Sequence, residues 1–215
     1  MFAMHDYIDI YCERLNPGLW AEPLNAVTNM AFIVAAAFAF LCARKNDALD
    51  IRGAVLITLI FAIGVGSGLF HTFATRWAML ADVLPILVFQ ICFILFYSQK
   101  IVRLKGVLAF LPLLGFFIVT VGAGQIPGYA LNGSLQYAPA LIFVTGFGVY
   151  HYRYAQMEKY LLLLAAGVFV CSLTFRSIDM EMCASIRFGT HFLWHVLNAF
   201  VLYLSVRAYL INIKR

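Results

Sequence analysis

Residues 53–74 read GAVLITLIFAIGVGSGLFHTFA, 22 residues without one Asp, Glu, Lys or Arg. A helix that crosses the hydrocarbon of a bilayer needs about 20 such residues. A helix apolar on every face has no use for water as its neighbour. Working outward, six more stretches of this kind are found at 22–43, 78–98, 106–123, 136–151, 159–176 and 188–210. The 215-residue chain is therefore expected to be all-α, a polytopic membrane protein built as a seven-transmembrane-helix bundle. Residues 1–215 form one domain in this reading, with 1–21 as an extracytoplasmic segment. The composition points the same way. Hydrophobic residues make up 64% and charged residues 12% of the chain, against about 45–50% and about 25% in soluble domains. That excludes a cytosolic enzyme, a disordered chain and a disulfide scaffold. The alternating pattern of a membrane barrel is missing. No basic stretch leads a short apolar core at the start, so a cleaved signal peptide is not expected.

The charges report orientation. Arg44, Lys45, Arg52, Lys100, Arg103, Lys105, Arg153, Lys159, Arg207, Lys214 and Arg215 fall on one side of the bundle, and Arg14, Arg76, Arg176 and Arg187 on the other. The positive-inside rule places the N-terminus outside and the C-terminus in the cytoplasm. The net charge of +5 is thus a record of topology. Its charges do not cluster on a wettable face, so nucleic acid is not an expected partner.

Against this background the polar residues inside the spans are candidates for function. His191 and His195, in His191-Phe192-Leu193-Trp194-His195, are four apart and share a helix face. Such a pair suits one zinc ion, a haem, or two buried histidines bonded to neighbours. Ser67 and His71 share a face for the same reason, and His71 offers a third nitrogen. Three protein ligands with an open position is the pattern of a catalytic zinc. Asp82 starts the third span between apolar residues. It reads as a general base beside an activated water, or as an acid favoured by the helix dipole. Glu22, Asn25 and Asn29 line one face of the first span, either as partners of the site or as a capping and packing stripe. Asn198 follows His195 by three and is expected to orient a ligand. With the derived topology, Glu22, His71, Asp82, His191 and His195 all reach the non-cytoplasmic leaflet. Three His, one Asp and one Ser at one depth read as a metal hydrolase site.

In order and spacing, these residues resemble the alkaline ceramidases, part of a wider seven-helix group that includes the adiponectin receptors. The resemblance covers nearly the whole chain. Phe175-Arg176-Ser177-Ile178-Asp179, then Cys183 and Gly189-Thr190-His191, resemble the ceramidase branch, as does the external N-terminus. The resemblance implies zinc on His71, His191 and His195. It implies Asp82 as the proton carrier and Ser67 as the hydroxyl that stabilises an oxyanion. The reaction implied is hydrolysis of ceramide or a similar lipid amide to a sphingoid base and a fatty acid. The implied setting is an integral membrane protein with its site toward the non-cytoplasmic side, in a bacterial inner membrane or in the ER or Golgi. The partners implied are the bilayer and the lipid substrate, with no obligate protein partner. The resemblance also implies a calcium ion held by Asp9, Glu13, Asn16 and Glu22. Here the pattern departs from the family: the intervals from Asp9 to Glu13 and from Glu13 to Asn16 are each one residue longer than expected, Tyr11 stands where Trp is usual, and the stretch from Glu13 to Glu22 is shorter. A disulfide between Cys12 and Cys183 is implied as well. Cys42, Cys92 and Cys171 are expected to be small core residues.

Other readings are a metal-bearing receptor or sensor, a hydrolase of a different lipid amide or ester, and a haem or retinal protein. The long intracellular segment a receptor would use for coupling is missing. Retinal needs a mid-helix lysine, and the seventh span has none before Lys214. Haem leaves Asp82 and Ser67 without a role.

Overall fold

The computed structural model describes residues 4–127, 130–155 and 157–214; Arg215, counted above among the cytoplasmic charges, lies outside them. Among the described residues the chain is helical, and the one β-type pairing is an isolated bridge between Tyr7 and Thr75. The helices are α1 (Pro23–Thr28), α2 (Met30–Lys45), α3 (Ile51–Phe73), α4 (Arg76–Lys100), α5 (Leu111–Ala123), α6 (Ala138–Tyr154), α7 (Leu161–Ser177), α8 (Asp179–Met182) and α9 (His191–Leu210). Short 3-10 turns at Gly106–Phe110 and Ala130–Tyr137 precede α5 and α6. Among the described residues, five units are long and apolar enough to cross a membrane: Pro23–Lys45, α3, α4, Gly106–Ala123 and α9. Both α6 and α7, at 17 residues each, are shorter than the usual span.

Helix ends follow local chemistry. Asp50 caps α3 by accepting the Gly53 N–H at 2.8 Å. Ala74, in the left-handed conformation, closes α3. Pro23 opens α1, where a missing N–H costs nothing.

Helix α3 packs most extensively on α4, and α7 on α9. The core between them is filled by Leu56, Ile60, Ile63, Leu162 and Tyr209. A buried pair, Tyr97 Oη and His151 Nδ1 at 2.7 Å, ties α4 to α6. Large apolar side chains also stand on the outside, among them Phe38, Phe61, Leu114, Ile118 and Val121. A soluble protein rarely leaves so much exposed, whereas lipid solvates it.

One expectation needs correcting. Cys171 is exposed on the surface of α7 and is not a core residue; Cys42 is buried and Cys92 half-buried. Among the Arg residues assigned to the non-cytoplasmic side, Arg14 and Arg176 are buried within the fold, at 3% and 9% exposure.

Gly66 brings α4 unusually close to α3. A Cβ there would lie 2.0 Å from the Ala81 carbonyl oxygen and 3.2 Å from Asp82 Cα. Gly66→Ala is expected to cost about 1–3 kcal/mol by overpacking, read as a lower Tm of the purified protein. An unchanged Tm would mean the helices tolerate separation at this point.

Candidate metal centre

His71 sits in the last turn of α3, and His191 and His195 in the first turns of α9. All three are 1% exposed. One nitrogen from each lies within 4.8 Å of the others, the one such His, Cys, Asp and Glu group among the described residues. His71 Nε2 and His195 Nε2 face each other at 3.0 Å.

Their opposite nitrogens reveal the tautomers. His71 Nδ1 meets Glu22 Oε2 at 2.6 Å; an ionised carboxylate only accepts, so Nδ1 carries the proton. His195 Nδ1 meets Thr28 Oγ1 at 2.9 Å. The single Thr28 hydrogen is directed to the carbonyls of Leu24 and Asn25, at 2.8 and 3.1 Å, so this hydroxyl accepts from His195. Both Nε2 atoms are therefore lone pairs, pointing at each other in a buried place. A proton or a metal ion held between them relieves that arrangement. His191 Nδ1 is buried without a hydrogen-bond partner, and the ring is stacked on Tyr11 at 3.8 Å. Neutral imidazoles are the donor set zinc takes, and those of His71 and His195 have their far nitrogens anchored, so the three residues fit that ion.

The surrounding residues hold these rings in place. Glu22 accepts from Arg14 Nε through Oε1 and from Asn25 Nδ2 through Oε2, the latter at 3.0 Å. Asn29 Nδ2 donates to the Asn25 carbonyl at 2.8 Å. Asp179, fully buried, accepts three backbone N–H groups: Cys12 at 3.0 Å, Thr190 at 2.7 Å and His191 at 2.9 Å. It thereby caps α9 and fastens the N-terminal segment. The Cys12–Cys183 disulfide, with Cα atoms 5.5 Å apart, joins the same two parts. Gly189 at φ 62° makes room: a Cβ there would stand 2.1 Å from Asp179 Oδ1 and 2.6 Å from Cys12 Cβ.

Ser67, one turn before His71, donates to the half-buried Asp82 carboxylate. Two cavities meet at this point, sharing Asp82, Ile86, Gln90, Phe116 and Tyr137. One is apolar, walled by Phe32, Ile63, Phe89, Phe93, Phe147 and Phe169, with Ser67 and Asn198 also on its wall. The other, about 380 Å³, carries Asn132, Gln136 and Arg176. The Arg176 guanidinium lies 5.3 Å from the Tyr137 ring and 5.6 Å from that of Trp194.

The residues named for calcium do not form one oxygen cage. Glu13 accepts the N–H groups of Leu24 at 2.7 Å and Asn25 at 2.8 Å, an anion placed on the first turn of α1. Burial pushes its carboxyl up, against the pull of those two bonds. Asn16 Oδ1 accepts the Gly18 N–H at 2.8 Å. Asp9 is exposed. The oxygens of Glu22 are occupied as described. This set does not fit a calcium ion.

Thr28, Arg14, Arg176 and Asp179 were not legible as site residues. The first hides as an ordinary hydroxyl bonded back along its own helix. The two arginines read as topology markers. The signal available for Arg176 was its place in the apolar stretch 159–176.

In comparison with known families, a family model described as Ceramidase matches residues 11–213. No curated protein and no solved structure matches the chain.

Proposed function

The chain belongs to the ceramidase family, and on that premise we propose that it is a zinc-dependent intramembrane amidase cleaving ceramide-type lipids to a sphingoid base and a fatty acid. The observation that carries the reading is the pair of facing Nε2 lone pairs, 3.0 Å apart, beside a carboxylate and a hydroxyl on the wall of an apolar cavity. His71, His191 and His195 would hold the zinc. When bound, zinc polarises an amide carbonyl and brings the pKa of water down to about 7.

The rest is done by the chain. Asp82 accepts the proton that water loses as it adds to the carbonyl carbon. It returns that proton to the nitrogen as the C–N bond breaks, so the amine leaves neutral and the acid remains. Ser67 turns its hydroxyl from Asp82 to the oxygen on which charge develops. The phenylalanine-walled cavity receives an alkyl chain, since burying CH₂ groups is favourable at roughly 0.8 kcal/mol each. The mixed cavity, with Gln136, Asn132 and Arg176, suits the hydroxyl-bearing end of the lipid.

The proposal includes seven spans, with the short α6 and α7 completing the bundle, the N-terminus outside and the site in the outer leaflet. The Cys12–Cys183 bond supports that side, because disulfides persist in oxidising compartments.

A panel of labelled lipids tests the function. Purified protein is expected to contain about one zinc per chain and to release fatty acid from ceramide. A zinc chelator should stop the reaction, and zinc should restore it. Hydrolysis indifferent to zinc removal would overturn the metal assignment, and hydrolysis confined to esters would overturn the substrate class.

A further inference from the structure

The place that the family resemblance gives to calcium is filled by an arginine. The Arg14 side chain is fully buried. Its Nε donates to Glu22 Oε1. Nη1 donates to the carbonyls of Asn16 and Gly18, at 3.4 and 3.2 Å, and Nη2 to the carbonyl of His71 at 2.8 Å. The guanidinium also lies 5.8 Å from the Tyr7 ring. One carboxylate oxygen and three backbone carbonyls, drawn from the N-terminal segment and from the end of α3, thus converge on one cation. That is the kind of oxygen set a divalent ion would gather, but the positive charge here is covalent.

We infer that Arg14 is a built-in replacement for calcium, a positioning residue that organises the N-terminal segment over the histidines and makes the protein independent of that ion. The physical argument has three steps. First, Arg14 neutralises Glu22 in the dry interior. Glu13, the other buried acid nearby, spends its oxygens on α1. Too few free oxygens are left to hold a calcium ion, which takes 6–8 of them at about 2.3–2.6 Å. Second, a planar fork with five donors is matched to several oxygens at once, which an ammonium is not. Third, Glu22 also receives His71 Nδ1–H. By fixing the Glu22 carboxylate, Arg14 fixes the tautomer and angle of the His71 ring, and so the direction of Nε2. Its bond to the His71 carbonyl holds the backbone of the same residue. The inference does not depend on which lipid is cleaved.

Three measurements test it, none of which requires substrate. The Tm of the wild-type protein is expected to stay the same when calcium is removed with a calcium-selective chelator and when it is added back. A Tm that moves by several degrees with calcium overturns the inference. Zinc affinity, measured by competition with a chromophoric chelator, is expected to fall about 10–100-fold in Arg14→Ala, the usual loss when a ligand's orienting partner is removed. Zinc bound as tightly as in the wild type overturns the positioning role. Arg14→Lys keeps the charge but loses the fork, so its zinc affinity is expected to fall between the two. It also carries the test if Arg14→Ala fails to fold, and wild-type affinity in Arg14→Lys overturns the claim for the fork. Millimolar guanidinium added to Arg14→Ala should recover part of the lost zinc affinity. No recovery with guanidinium, combined with full recovery by calcium, would return the site to calcium.

Discussion

Asp82→Asn is expected to slow turnover about a thousandfold, in the range of about 10²–10⁴ that general acid–base groups contribute, while the zinc content stays at the wild-type level. An amide keeps the size and the hydrogen bond from Ser67 but takes no proton. The barrier then rises by about 4 kcal/mol, at about 1.36 kcal/mol per factor of ten. His71→Ala should also abolish turnover, but by a different route: one of three ligands is gone, so zinc is lost with the activity. Measuring metal and rate together on the two variants separates proton transfer from metal binding. An Asp82→Asn enzyme with wild-type kcat would remove Asp82 from the reaction. One that loses its zinc would recast it as a structural acid. Asp82 owes its position to the close approach of α3 and α4 at Gly66.

The second large effect is on stability. Asp179→Ala leaves the N–H groups of Cys12, Thr190 and His191 unpartnered in the interior. Each orphaned donor costs about 1–3 kcal/mol, on the order of 4 kcal/mol together, which for a chain of this size lowers Tm by roughly 10 °C. Asp179→Asn is the finer probe. Its amide oxygen can still accept from Thr190 and His191, which share Oδ1. Its NH₂ must then face the Cys12 N–H, donor against donor. This variant should keep the α9 cap, and with it zinc, while the N-terminal segment loosens. Amide exchange at residues around Cys12 reads the difference. Protection there equal to the wild type would show that the disulfide alone secures the segment.

The residues of the metal centre were easy to see in the sequence because of their contrast. His71, His191, His195 and Asp82 interrupt apolar runs, and i,i+4 spacing puts the relevant pairs on one face. The helices were legible for the same reason: each of the seven apolar stretches is helical, with ends near those expected. What contrast does not show is a partner with its own ordinary explanation. Thr28 bonds to Leu24 and Asn25 as any helical threonine does, and its link to His195 spans 167 positions. Arg14 and Arg176 lie near apolar boundaries, where charge is normal. Their burial follows from the N-terminal segment folding back over α3 and from the turn at 131–133, whose residues Leu131, Asn132 and Gly133 all have positive φ. Neither event has a periodic signature. Residues 22–43, expected as one span, are divided at Asn29 into α1 and α2. Asn25 and Thr28, both in α1, reach Glu22 and His195.

The disulfide joins positions 171 residues apart, and His71 waits for a facing nitrogen 124 residues further on. That separation has a meaning for biosynthesis. While the chain is inserted from its N-terminal end, α3 and α4 enter the bilayer with Asp82 in place but with one histidine of three. On the proposed assignment the hydrolytic centre is completed only when α9 arrives. On that assignment a partly made chain is expected to be inert toward the membrane that surrounds it, with activity acquired in the last act of assembly.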